Sequence, residues 1–200
     1  MADHVHEPTE PAIRAEALEA LLVEQGLLTS ADVDAVIARF AERVGPLNGA
    51  RVVARAWCDD AFRARLLADG TQTVGELGIQ GGPGGEMEKL VVVANSEAVH
   101  NVVVCTLCSC YPWALLGLPP RWYKDPAYRS RIVREPRNVL TEFGLEVAPE
   151  REIRVWDSSA EVRYLVLPQR PVGTEALDED ALTALVEREA MIGVAEVAAP

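Results

Sequence analysis

Three of the chain's four cysteines fall within six residues, in the stretch VCTLCSCYPW at 104–113. Cys105, Cys108 and Cys110 stand there with one residue between the last two. The run VHNVVVC that leads into them is β-branched and reads as a strand. The fold must therefore deliver a strand end directly into a tight, sulfur-rich bend. Four cysteines in 200 residues are too few for a disulfide scaffold. In a reducing compartment, clustered cysteines point instead to metal or redox chemistry.

Length allows one domain with a real core and an appendage. The formal net charge of −12 argues against a general nucleic-acid binder, because phosphate backbones select for Lys and Arg. Arg121, Lys124, Arg129, Arg131, Arg134 and Arg137 form a basic run in this acidic chain. They read as surface or interface ion pairs. No apolar run approaches the roughly 18–20 residues that span a bilayer. The first residues, MADHVHEPTEPAIRAEALEA, lack the basic start and apolar centre of a secretory signal. The chain reads as cytoplasmic, with neither a membrane nor a nucleic acid as partner.

Residues 1–8 read as loose. Apolar spacing predicts a helix over 9–25, stopped by Gly26, and a second capped by Thr29 or Ser30 and ending at Gly45-Pro46. These helices form an arm over 1–47, expected to pack on a partner subunit, ahead of a domain over 48–200 that carries the cysteine cluster. Two helical patterns follow in 48–69, split near Asp59-Asp60 and closed by Gly70. The stretch GIQGGPGGE at 78–86 reads as loop. KLVVVAN and VHNVVVC read as strands, and REIRVWD and EVRYLVL as a strand pair around Ser158-Ser159. Short helices are predicted in DPAYRSRIVRE, PRNVLTEF and DEDALTALVERE. This order gives an α+β layered domain. Cys58 stands alone and reads as buried, with no chemistry assigned.

A zinc site usually takes four ligands, often as two separated pairs. Here there is one cluster, and His4, His6 and His100 are poor candidates to complete it. A redox pair would use Cys105 and Cys108 and leave Cys110 idle. Both readings stay open, but Cys108-Ser109-Cys110 offers another geometry. A metal bound by the Cys110 sulfur and its own nitrogen closes a five-membered ring. The nitrogens of Ser109 and Cys110 close a second, and the Cys108 sulfur with the Ser109 nitrogen closes a six-membered one. The tripeptide alone can supply a plane of two sulfurs and two nitrogens, with Cys105 as an axial ligand. Peptide nitrogens must lose their protons for this, which favours a small trivalent ion, cobalt or iron, over zinc. An open position on such a Lewis acid suits catalysis.

VCTLCSCYPW, with LGLPPRWYKDPAYRSRIVREPR after it, resembles the α subunit of nitrile hydratase. IRVWDSSAEVRYLVLPQRP and the tail MIGVA resemble it too, so the likeness runs from about residue 18 to residue 194. Thr106 and Tyr111 match cobalt-type members, where iron-type ones have Ser and Thr. The resemblance implies a layered α-β-β-α domain with a helical N-terminal arm. It implies non-corrin Co(III), with Fe(III) as the lesser alternative, held by Cys105, Cys108, Cys110 and the amide nitrogens of Ser109 and Cys110. By analogy Cys108 becomes a sulfinic acid and Cys110 a sulfenic acid, and both serve catalysis. The reaction implied is hydration of a small-molecule nitrile to its amide. The partners implied are a β subunit, which brings arginines to the oxidised sulfurs, and a cobalt-loading activator protein. A thiocyanate hydrolase subunit is the alternative within the same cofactor class. A non-catalytic zinc or redox module is the alternative from another class.

In one place the sequence departs from the family. Where members usually carry a Gln before Gly-Glu, this chain has Pro83-Gly84-Gly85-Glu86. Gly84 lacks the amide expected there, which reads either as a loop variation compensated by a neighbouring residue or as a roomier substrate pocket for a bulky nitrile, such as that of a toyocamycin-type nucleoside. Asp157, Glu161 and Arg163 read on their own as polar faces of the strand pair. The resemblance makes Arg163 a support of the metal loop, with Asp157 and Glu161 beside it. Trp113 is a candidate wall of the substrate pocket.

Overall fold

The computed structural model describes residues 10–38, 45–79, 89–108 and 110–200. The chain divides into two compact units, Met1–Arg39 and Phe40–Pro200. The first contains α1 (Glu10–Glu24) and α2 (Ser30–Ala38), and neither helix buries a residue. Gly26 ends α1 with a positive φ of 68°. Thr29 is the cap of α2. Its Oγ1 accepts from the Asp32 amide at 3.2 Å, and Asp32 Oδ2 accepts from the Thr29 amide at 2.8 Å. The predicted run of this helix to Gly45 crosses residues 39–44, which lie outside the described residues, as does the loose start predicted for 1–8.

The second unit opens with α3 (Leu47–Cys58), α4 (Asp60–Ala68) and α5 (Gly70–Glu76). Asp59 and Asp69 separate them by capping, accepting from the Phe62 and Gln72 amides. Gly70, read as a stop, instead begins α5. The Asp69 cap restarts the helix, and a Cβ at Gly70 would lie 2.8 Å from the Leu90 carbonyl. Of the predicted glycine-rich loop, residues 80–86 lie outside the described residues.

The strands are β1 (Lys89–Ala94), β2 (Val99–Val104), β3 (Glu152–Asp157) and β4 (Val162–Leu167). The predicted strand pair of β3 with β4 does not form. β1 pairs parallel with β4, from Lys89 opposite Val162 to Ala94 opposite Leu167. β2 pairs parallel with β3, from Val99 opposite Glu152 to Val104 opposite Asp157. Alternation along a strand reports its buried face and leaves its partner open. Here the short links at 95–98 and 158–161 step between sheets instead of closing hairpins.

After the cysteines come α6 (Trp113–Leu116), a 3₁₀ turn (Arg121–Lys124), α7 (Pro126–Arg131) and α8 (Pro136–Glu142). The last predicted helix breaks at Val186 into α9 (Glu179–Leu185) and α10 (Arg188–Ile192). The layers follow from the contacts. α4 and α5 pack on β1, the two sheets meet through β2 and β4, and α8 lies against β3. This is an α+β domain in α-β-β-α order. The core centres on β2, where Val102, Val103 and Val104, with Cys105 just after them, are almost fully buried.

Candidate metal centre

The register of β2 and β3 builds the site. Val104 stands opposite Asp157 at the carboxyl ends of both strands, and the ladder continues with the Ser158 amide donating to the Val104 carbonyl at 2.7 Å. Asp157 is thus set beside the first turn of the cysteine loop. Its Oδ1 accepts from the Thr106 amide at 2.9 Å and its Oδ2 from the Thr106 hydroxyl at 2.5 Å. With that turn pinned, the chain curls back on itself. The Cys108 amide donates to the Cys105 sulfur at 3.3 Å. The Cys105 and Cys108 sulfurs lie 3.7 Å apart, and those of Cys108 and Cys110 3.3 Å apart. All three lie within 4.8 Å of one another, Cys105 and Cys110 buried and Cys108 exposed.

The other side of the loop is held by residues whose role the sequence reading missed. Tyr123 donates its hydroxyl to the Cys110 carbonyl at 3.0 Å. Arg129 Nη1 donates to the Cys108 carbonyl at 3.0 Å. Tyr128 donates to the Val103 carbonyl at 2.8 Å. The two tyrosines are buried, and Trp122 packs edge-on against each, at 6.0 and 5.0 Å between ring centroids. The available signal was the stretch WYKDPAYR, which sets two tyrosines and an arginine around a helix-starting Pro126.

Burial pushes the Cys110 thiol up to about 12, and hydrogen bonding with Cys108 and Cys105 adds to this. The Arg163 guanidinium works in the opposite direction. Three crowded, partly buried sulfurs disfavour an isolated thiolate and suit a cation that they can share. Soft sulfur donors select a thiophilic transition metal. Among the described residues no His, Asp or Glu completes this cluster. His100 is fully buried elsewhere, with its Nε2 donating to the Gly193 carbonyl at 2.7 Å.

The remaining predicted site residues are placed as follows. Arg163, half-buried in β4, donates through Nη1 to the Ser159 carbonyl. Glu161 is exposed, and its carbonyl accepts from the Lys89 amide at 3.1 Å. Trp113 is half-buried at the start of α6 and packs against the core. Ser109 and Gly84 lie outside the described residues. Cys58, expected to be buried, is exposed at the end of α3. Much of the basic run is engaged within the chain. Arg131 pairs with Glu135 and Glu142, and Arg137 donates to the Val147, Ala148 and Arg151 carbonyls. A cleft of about 620 Å³, lined by Trp57, Arg63, Asn95 and Glu97 among others, opens near the start of β2, away from the sulfurs at its end.

Residues 9–195 match the family described as nitrile hydratase, alpha chain. The chain belongs to this family. It is 56% identical over 186 residues, 92% of this chain and 90% of the relative, to the cobalt-containing nitrile hydratase subunit alpha of Pseudonocardia thermophila. It is 41% identical to the thiocyanate hydrolase subunit gamma of Thiobacillus thioparus, over 97% of this chain and 83% of that one. A solved double mutant of the Fe-type nitrile hydratase from Comamonas testosteroni superposes with a TM-score of 0.84 at 41% identity, covering 96% of this chain and 94% of that one. As a nitrile hydratase α chain, the protein is an enzyme subunit, and its cysteine cluster occupies the end of a buried parallel strand. Among the described residues no helix is long and apolar enough to cross a membrane.

Proposed function

We propose that this chain is the metal-bearing α subunit of a cobalt nitrile hydratase, adding water to a nitrile to give the amide. The observation that carries this reading is the convergence of the Cys105, Cys108 and Cys110 sulfurs within 4.8 Å at the end of β2. The ligands are these three sulfurs and the backbone nitrogens of Ser109 and Cys110. When bound, non-corrin Co(III) supplies a strong Lewis acid that polarises the nitrile and acidifies water. Cobalt is supported over iron by Thr106 and Tyr111 and by the cobalt-containing relative at 56% identity.

The chain's own residues hold this centre and shape its surroundings. Asp157 fixes Thr106 and so sets where the loop begins to turn. The Arg163 charge favours anionic sulfur at Cys110. Glu161 shares the connection from which Arg163 is presented. Trp113 walls the substrate space. Cys108 is carried to the sulfinic and Cys110 to the sulfenic state, the exposed Cys108 being open to oxidant. A β subunit completes the pocket and packs on the arm over 1–47, whose two helices leave their apolar residues uncovered within their own unit. An activator protein loads the cobalt, and the complex works in the cytoplasm.

The test is co-expression with the β subunit, followed by metal analysis, a visible spectrum and assays with a nitrile and with thiocyanate. Bound cobalt, a visible thiolate band and amide formation are expected. Colourless zinc-bearing protein refutes the reading. Turnover of thiocyanate in place of nitrile selects the second reading, which rests on the thiocyanate hydrolase relative at 41% identity. Gly84 is proposed to widen the pocket. Gly84→Gln is expected to lower the rate with bulky nitriles relative to small ones, and an unchanged ratio removes that idea.

A further inference from the structure

The hydrogen bonds around the cysteine loop point to a job for Arg129 beyond charge on the surface. Three side chains grip carbonyls of this segment from one side: Tyr128 at Val103, Arg129 at Cys108 and Tyr123 at Cys110. Tyr123 and Tyr128 are neutral phenols. Arg129 alone brings a full charge, and it acts at the carbonyl of Cys108, the middle sulfur of the three. Among the described residues its Nε is buried without a hydrogen-bond partner. Its described side-chain hydrogen bond is the one to the loop.

A charged donor on the Cys108 oxygen fixes the backbone at Cys108, and with it the direction from which the Cys108 side chain leaves. We propose that Arg129 is a positioning residue of the metal centre, which holds Cys108 so that its sulfur stays beside those of Cys105 and Cys110, at 3.7 and 3.3 Å. This rests on the cobalt reading above. Arg129 touches neither substrate nor metal and acts through the backbone of Cys108. α7 supplies the rigid base, because the Asp125 cap and the buried Tyr128 fix this short helix against the domain.

The test uses the complex with its β subunit, loaded with cobalt, carrying Arg129→Gln, Arg129→Lys or the control Arg134→Gln. Arg134 belongs to the same basic run, but its Nε donates to the Ser130 carbonyl within its own segment. Readouts are cobalt release to a chelator, the visible thiolate-to-metal band and thermal unfolding of the metal-free protein. Arg129→Gln is expected to release cobalt roughly 10- to 100-fold faster and to shift the band, as removing a support behind a metal ligand does. Arg129→Lys is expected to fall in between. Arg134→Gln should behave as wild type, and metal-free unfolding should be nearly unchanged in all three. Wild-type release and an unmoved band in Arg129→Gln overturn the proposal, as does equal loss in the Arg134→Gln control. If the wild-type complex holds no cobalt, the cobalt reading itself is what fails.

Discussion

The two ends of β2 use the same kind of buried backbone in opposite ways. At its start, neutral amides bond to one another. Asn95 Oδ1 accepts from the Asn101 amide at 2.8 Å and from its side chain at 3.0 Å, Asn101 Nδ2 also reaches the Ala94 carbonyl, and Trp156 donates to Asn101 Oδ1. His100 joins in by donating to Gly193. Polar groups are spent on one another, so this end is stable and inert. At its other end the carbonyls are gripped from outside by Tyr128, Arg129 and Tyr123, and the three sulfurs are left facing each other. The difference shows how one strand serves two ends: saturation anchors it, and unspent donors at the far tip give it chemistry.

Breaking the reactive end should have the largest effect. Cys108→Ser is expected to abolish cobalt retention and hydratase activity while leaving metal-free thermal unfolding close to wild type, because Cys108 is exposed. Metal analysis and a melt of the same sample check both halves. At the inert end the cost should be to folding. Gly193 has φ of +92°, and a Cβ there would come within 2.0 Å of the Asn101 carbonyl. Gly193→Ala is therefore expected to lose ~3 kcal/mol of stability, read by chemical denaturation. Back at the reactive end, Tyr128→Phe withdraws the donor from the Val103 carbonyl and should cost ~1–2 kcal/mol, read the same way.

The smallest expected effect is a pH dependence. Burial holds the His100 imidazole below its usual range, and Arg151 pushes in the same direction. The Gly193 carbonyl and the Glu196 carboxylate act against them. A base with a depressed folded pKa leaves the unfolded chain as the better proton binder. Its contribution is complete above the unfolded value near 6.5 and is lost as the pH falls below it toward the folded value. Thermal midpoints of the metal-free protein should decline from pH 7.5 to 5.5, and His100→Asn should flatten that slope. An unchanged slope in the variant would assign the decline to other groups.

The cysteine cluster, the strand leading into it and the acidic balance were all legible in the sequence because each is a local pattern. So were the helix break at Asp59-Asp60, where a carboxylate caps, and the proline starts of α7 and α8. Strand partnership was not legible. Ser158-Ser159 between two alternating runs looks like a turn, yet β3 and β4 each find a partner far back in the chain. Gly70 misled for a related reason, since its smallness serves a close approach to Leu90 that no local pattern records. The carbonyl grips of Tyr123, Tyr128 and Arg129 were hidden because an arginine or tyrosine reveals its acceptor only when the fold supplies one. Exposure of Cys58 was missed because a lone cysteine is by type among the residues most often buried.

The link between Thr106 and Asp157 joins residues 51 positions apart in the chain. A ribosome therefore releases the sulfur-bearing bend well before the carboxylate that restrains it, and β3 must dock before the bend acquires its final shape. Until then the thiols belong to a loose tether, free to meet oxidant or stray ions.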